Sequence, residues 1–274
     1  MKKGKRILLF LGIVSLVVVL SACSATGEVN AQSSGLWDRY IVYYFAEAIK
    51  MLSFGNAGIG IILFTLIIRI ILMPLMHFQT KSMRKTQELQ PKLKALQQQY
   101  ASKDSETQNK LRAETQRLYA ENNVNPYAGC LPLLVQMPIL MALWQSISRV
   151  PALQEGKFLW LQLGDRDPYF ILPILAALFT FASTYLSSMS QIESNASLKI
   201  MNFAMPLMIL LMGINIASGL SLYWVVSNAF QVVQTLILNN PFKIRQEREE
   251  AARKERVRER ALKKAMSPKK KRKK

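Results

Sequence analysis

Arg69 stands in the middle of an apolar run, Ala57–His77, whose other interior polar side chain is Thr65. A guanidinium keeps its proton in any protein setting. Near the centre of a bilayer it costs at least ~2.5–3.5 kcal/mol on insertion scales, and more if it faces lipid. It therefore requires water, a counter-charge or several polar groups. Asp165, Asp167 and Glu193 fall between the apolar runs, not inside them. A buried ion pair is not expected, and a water-filled recess follows by elimination. Polar stripes that could line it recur at helical spacing. Thr65 lies one turn before Arg69, on the same face. Thr180, Thr184, Ser187 and Gln191 form one set and Trp224, Ser227, Asn228, Gln231 and Gln234 another, and Gln136 and Gln145 add amide groups on the second apolar run. The competing use of such residues is hydrogen bonding from helix to helix. The single histidine, His77, has no metal-ligand spacing around it, and no phosphate-binding glycine loop is present. Neither a metal site nor an enzyme active site is expected.

Composition says what must position these residues. Half of the 274 residues are hydrophobic, yet 36 Lys and Arg against 17 Asp and Glu leave a net charge of +19. Such a chain fits apolar segments in lipid and basic segments in water. The reading is an all-α, polytopic membrane protein with five transmembrane helices around a hydrophilic groove, plus a cytoplasmic helical hairpin. The spans fall at 57–78, 127–150, 168–189, 200–215 and 219–238. The stretch 200–238 is taken as two helices, since one helix at ~1.5 Å per residue would overshoot a ~30 Å hydrocarbon core. Residues 79–126 form the hairpin, with Leu89, Leu93, Leu96 and Tyr100 on a thin apolar stripe and a break at 101–107. A solvated linker is the plainer alternative for that segment.

The N-terminus reads as an address. Lys2, Lys3, Lys5 and Arg6 precede a 14-residue apolar run, Ile7 to Leu20, short for a span but suited to a signal peptide. The run ends Leu20-Ser21-Ala22-Cys23, which resembles the lipobox of bacterial lipoprotein precursors. That resemblance implies removal of 1–22, then a diacylglyceryl group and an N-acyl chain on Cys23 as the covalent lipid; no other cofactor is implied. An uncleaved sixth span is the alternative. Residues 23–56 would then be a lipid-anchored external segment, 151–167 an external loop, 190–199 a cytoplasmic loop and 241–274 a basic cytoplasmic tail. Charge supports this direction: the cytoplasmic pieces hold 26 Lys or Arg, and the external parts, counted over 24–56 and 149–168, hold five. Trp37, Tyr40, Tyr43, Tyr44, Trp160 and Tyr169 are expected as an aromatic belt at the outer interface. The tail Lys243–Lys274 carries 16 basic and five acidic residues. Such a run binds polyanions through phosphate contacts, with no base reading and so no specific DNA binding. A ribosome at the membrane and anionic lipids are the candidate partners.

The ordered set IIRIILMPL (67–75), NPYAGCLPLLVQMPILMALW (125–144), YFILPILAALFTF (169–181) and SGLSLYWVVSNAFQVVQ (218–234) resembles the YidC/Oxa/Alb family of membrane protein insertases, in its Gram-positive lipoprotein form. The likeness covers nearly the whole mature chain. It implies a groove open to cytoplasm and lipid but closed outside, in a bacterial plasma membrane protein. It assigns the groove arginine to Arg69, the threonine before it to Thr65 and the substrate-contacting aromatic pair to Tyr223 and Trp224. Gln136 and Asn228 join them as groove candidates. Close relatives carry a glutamine on span three, where this chain has Ser183 and Thr184, so that wall departs from the pattern.

The implied activity is insertion and folding of nascent membrane proteins, and of lipoproteins, alone or with a Sec translocase. Arg69 would attract an acidic residue of the client while the client's apolar span partitions into lipid. Two other classes fit parts of the pattern. A solute transporter or channel would use the same intramembrane charge, but no acidic relay or internal repeat accompanies it. A scaffold beside another translocase would show no insertion of its own.

Overall fold

The computed structural model describes residues 27–33, 35–190 and 196–266. The signal peptide, Cys23, Gln191 and the KKKRKK end (269–274) lie outside the described residues. A π-helical turn at Asp38–Val42 leads into α1 (Tyr43–Met51), then α2 (Ala57–Glu88), α3 (Gln90–Gln99) and α4 (Ser105–Glu121). A 3-10 turn at Pro126–Cys130 enters α5 (Leu131–Arg149), followed by the short α6 (Pro151–Gln154). The strands β1 (Lys157–Phe158) and β2 (Leu161–Gln162) pair antiparallel, Lys157 opposite Gln162. The chain finishes with α7 (Ile171–Met189), α8 (Ala196–Gly213), α9 (Ser218–Leu238) and α10 (Pro241–Met266).

Three segments are long and apolar enough to cross a membrane by length and composition: Ala57–Glu88, Ile171–Met189 and Ser218–Lys264. Ile200–Gly213 is a shorter apolar helix. The apolar stretch 200–238 is divided at 214–217 into α8 and α9, so two short helices replace one overlong one. Pro74, Pro138 and Pro206 sit inside helices, where neighbouring groups must compensate the lost backbone bond. Among the helices, α9 is the hub, packed on α2 and α7, while α8 packs on the far side of α7.

Local chemistry fixes the ends. Asn56 caps α2 by accepting from the Gly58 and Ile59 N–H groups, two of the donors that a helix start leaves unpaired. Asp104 caps α4 through the Thr107 N–H at 2.7 Å. The Ser102 hydroxyl, and next the Thr107 amide, hold the Asp104 carboxyl well below the usual carboxylate range. Helix α2 runs unbroken to Glu88, so residues 79–88, expected as the start of the hairpin, continue the first apolar helix.

The apolar core lies at one end of the molecule. Val42, Ile49, Ile61, Leu143, Ile147, Leu153 and Leu163 are all essentially inaccessible there. Trp37, expected at an outer aromatic belt, is instead buried, and its Nε1 donates to Gln145 Oε1 at 3.0 Å; an indole sheltered in a core needs such an acceptor. Tyr40, Tyr44, Trp160 and Tyr169 are exposed. Gln145 also accepts from Arg149, which forms an ion pair with Asp38 at 2.6 Å. Asp167 ties the turn between β1 and β2 to α7, accepting from Trp160 Nε1 and from the Tyr169 and Leu172 N–H groups. Helix α9 is anchored at its start where the Ser218 and Gly219 N–H groups donate to the Asp165 and Leu163 carbonyls.

The close approach of α1 to α2 depends on Gly60, where an added Cβ would lie 2.3 Å from the Ile49 carbonyl oxygen. Alanine is favoured over glycine inside a helix by ~1 kcal/mol, so a loss of stability at this site reports the clash. Gly60→Ala is expected to destabilise the purified protein in detergent by about 1–3 kcal/mol, a typical cost of overpacking. Gly129→Ala, whose Cβ would meet no atom within 4 Å, should leave the thermal midpoint nearly unchanged. Matching midpoints for the two variants would contradict this packing.

Candidate functional site

Arg69 lies on α2 just past the dry core. Ile61, Phe64 and Thr65 are buried, and from Ile67 to Phe78 the helix is half-buried or exposed. Thr65, one turn earlier, donates its hydroxyl to the Ile61 carbonyl at 2.6 Å. That bond satisfies the hydroxyl within its own helix, and Thr65 closes the apolar layer above the arginine. The half-buried guanidinium turns to α9. Its Nε donates to Ser227 Oγ at 2.9 Å and its Nη1 to Gln231 Oε1 at 3.1 Å, while Nη2 also donates to Ser227. Ser227 and Gln231 are four residues apart, one turn, so α9 presents both on a single face.

Both acceptors are neutral. Among the described residues no carboxylate lies within ion-pair distance of Arg69. The charge is thus solvated by dipoles without being cancelled, and remains able to attract an anion. Tyr223, at the buried start of the same face of α9, receives a hydrogen bond from Gln136 Nε2 of α5. The structure therefore brings Arg69 together with Ser227 and Gln231, and Tyr223 with Gln136. Trp224 is half-buried, and its carbonyl accepts from the Asn228 side chain.

On α7 the polar residues turn inward on their own helix. Thr180 donates to the Ala176 carbonyl, Ser183 to Thr180, and Thr184 to Thr180 and Phe181. None of them bonds Arg69. Gln145 is not near this site at all; it belongs to the cluster of Trp37, Asp38 and Arg149.

A cavity of about 90 Å³ lies beyond Arg69, toward the ends of α2, α7 and α9. That is room for several waters, one needing roughly 10–15 Å³ on the same measure. Thr80 and Arg84 of α2, Ser190 after α7, and Gln231 and Gln234 of α9 line it, with Ile244 of α10. Ser190 Oγ and Gln234 Oε1 are buried there without a hydrogen-bond partner, the kind of atoms that hold ordered water. Gln231 borders both this cavity and Arg69, so the two are separated by one side chain. Sequence spacing indicates the α9 stripe; it gives no sign of Arg84 or of Ser190, which reach the cavity only through the packing of three helices. Among the described residues no cluster of three or more His, Cys, Asp or Glu could hold a metal.

Comparison with known proteins places these features in a family. The model for the 60Kd inner membrane protein matches residues 49–247. A protein from Enterococcus faecalis named membrane protein insertase YidC is 75% identical, with 99% of this chain and 98% of that protein aligned. A protein from Streptococcus pyogenes serotype M3 named membrane protein insertase YidC 1 is 55% identical over 94% of each. Among solved structures, an active YidC insertase crystal structure with its first transmembrane domain resolved superposes with a TM-score of 0.55 at 29% identity. The match covers 73% of this chain and 47% of that one.

The contact between Arg69 and Ser227 should show as thermodynamic coupling. Taking an acceptor from a partly buried charged donor costs about 1–3 kcal/mol. Ser227→Ala is expected to cost that much in the parent and much less when Arg69 is already Met, measured by unfolding in detergent as a double-mutant cycle. Identical costs in both backgrounds would refute the contact.

Proposed function

The chain belongs to the YidC/Oxa/Alb family of membrane protein insertases, and from that premise we propose that it inserts client proteins through a hydrophilic groove centred on Arg69. The observation that carries the reading is a guanidinium held by two neutral acceptors beside a polar cavity. A charge solvated in this way can exchange Ser227 and Gln231 for a client carboxylate. A carboxylate forms the stronger, charge-assisted bond, yet the neutral acceptors remain to take the arginine back when the client leaves.

The finer architecture belongs to the same proposal. Helices α5 and α8 join α2, α7 and α9 as the fourth and fifth spans of the bundle, each being 18 or 19 residues long and apolar. The layer around Ile61, Leu143, Ile147 and Leu163 is the outer seal. The end with the cavity, the hairpin α3–α4 and helix α10 faces the cytoplasm, in keeping with the positive-inside bias. Cys23 carries the lipid and holds the N-terminus outside. Tyr223 and Trp224 guide the client's apolar span, with Gln136 fixing the phenol of Tyr223. Ser183 and Thr184 line the far wall as small, internally satisfied surfaces. The basic tail meets the ribosome, and a Sec translocase serves as an optional partner.

No nucleotide enters this scheme. A hydrated recess shortens the distance a polar segment must cross without water, and the apolar span supplies the driving force by partitioning into lipid.

Arg69→Ala is expected to reduce insertion of single- or double-span clients with acidic external tails, in vesicles reconstituted with purified protein. The loss should be several-fold to about tenfold, since one contact between charges at the water boundary is worth roughly 1 kcal/mol or more. Arg69→Lys should retain most of the activity, because the site needs a positive charge more than a fork of donors. Full insertion by the Ala variant would remove Arg69 from the mechanism.

A further inference from the structure

We propose that α10 is a lid on the polar cavity below Arg69, and that an RNA phosphate backbone captured by its exposed basic length lifts it. The helix has two parts with different surroundings. Pro241 and Ile244 are buried against the bundle, and Ile244 forms part of the cavity wall. One turn later Arg248 Nη1 donates to the Ser190 carbonyl at 2.7 Å, pinning α10 to the end of α7. From Glu249 to Lys264 every described side chain is exposed.

The pinned part is held weakly for a closed contact. Arg248 Nη2 is buried with no acceptor, an unsatisfied donor on a charged group. Arg84, across the cavity on α2, faces Glu247 at 4.0 Å and its own neighbour Glu88 at 3.7 Å, both beyond hydrogen-bond distance. Lifting α10 would open Arg248 Nη2, Ser190 Oγ and Gln234 Oε1 to bulk water together, which offsets the loss of the Ser190 bond and of the Ile244 contacts. A closed state in which none of these three atoms is paired with another protein group gives α10 little to hold it down.

The exposed part names the partner class. A helix that lies on a lipid surface needs a continuous apolar face. Between 249 and 264 the large apolar residues are Val257 and Leu262, five positions apart and so on different faces. Seven basic residues stand here against four acids, Glu249, Glu250, Glu255 and Glu259, and Arg253, Lys254, Arg256, Arg258 and Arg260 fall within eight positions. Such a rod suits a polyanion reaching it from water, bound by phosphate contact and counterion release. RNA fits that description better than a membrane plane does.

The lid deepens the insertase reading by coupling the cavity to a ribosome-like partner, and its test needs no client protein. Gln234 is the reporter, since it lines the cavity and its amide oxygen has no partner to lose. Full-length protein carrying Cys130→Ser and Gln234→Cys, in detergent, is labelled with a charged maleimide and read at position 234 by peptide mass spectrometry. Arg248→Ala and Ile244→Ser should each raise the labelling rate at least about tenfold, as for a local opening made easier. Polyuridylate added to protein with an unaltered α10 should raise it likewise, and added salt should cancel that effect. Unchanged rates in both variants would overturn the lid. Acceleration by phosphatidylglycerol vesicles without any by polyuridylate would overturn RNA as the partner. Loss of insertion with labelling behaviour intact would instead count against the insertase reading alone.

Discussion

A permanent positive charge with only neutral partners is the constraint around which this bundle is arranged. Arg69 cannot discharge itself, and its acceptors, Ser227 and Gln231, supply dipoles but no counter-charge. Lipid would make that arrangement very costly. Packing α9 across α2 is what relieves it, because one helical turn of α9 delivers both acceptors at once. The hub position of α9 follows from the same need: it must touch α2 at Arg69 and α7 beyond it.

The two ends of the molecule answer that constraint in opposite ways. Toward the N-terminal segment the chain is dry and closed, with β1 and β2, α6 and the buried Asp38–Arg149 pair packed over the starts of α2 and α9. Backbone donors at the start of α9 are consumed by the Leu163 and Asp165 carbonyls, and Gly58 lets Phe158 sit directly on α2. Toward the other end the same helices separate around a polar cavity with unpaired atoms in its wall. Arg69 stands at the change from one regime to the other, one turn past buried Thr65. A charge placed one turn earlier on α2, at Thr65, would lie in the core.

Much of this was legible in the sequence. Arg69 is conspicuous by cost, and the stripe Ser227, Gln231, Gln234 is visible as a period of three to four on an otherwise apolar helix. Family likeness supplied Tyr223, and Gln136 stood out as an amide in an apolar run; the structure joins the two by a hydrogen bond. Periodicity says which residues share a face, but not which neighbour the face meets. Gln145 therefore read as a groove amide, although it serves Trp37 and Arg149 in the closed end. Trp37 read as an interfacial aromatic for the same reason, since nothing local distinguishes a tryptophan at a lipid boundary from one whose indole finds a buried acceptor. Arg84, Ser190 and Arg248 gave no sequence signal, because their meeting depends on the ends of three helices converging.

The departure on α7 has a physical resolution in the amide of Gln231. Ser183 and Thr184 stand where the family likeness implied a glutamine, and both bond their own backbone, so neither offers the arginine a hydrogen bond. Were an amide required from α7, Arg69 would be left with an unpaired Nη1. Instead Gln231 of α9 accepts from that nitrogen, and the wall can change residues while the charge stays solvated. What Arg69 demands is a count of neutral acceptors within reach, not a fixed helix of origin. The same economy is consistent with small residues on α7: a serine and a threonine satisfied within their helix leave α7 packed on both α8 and α9.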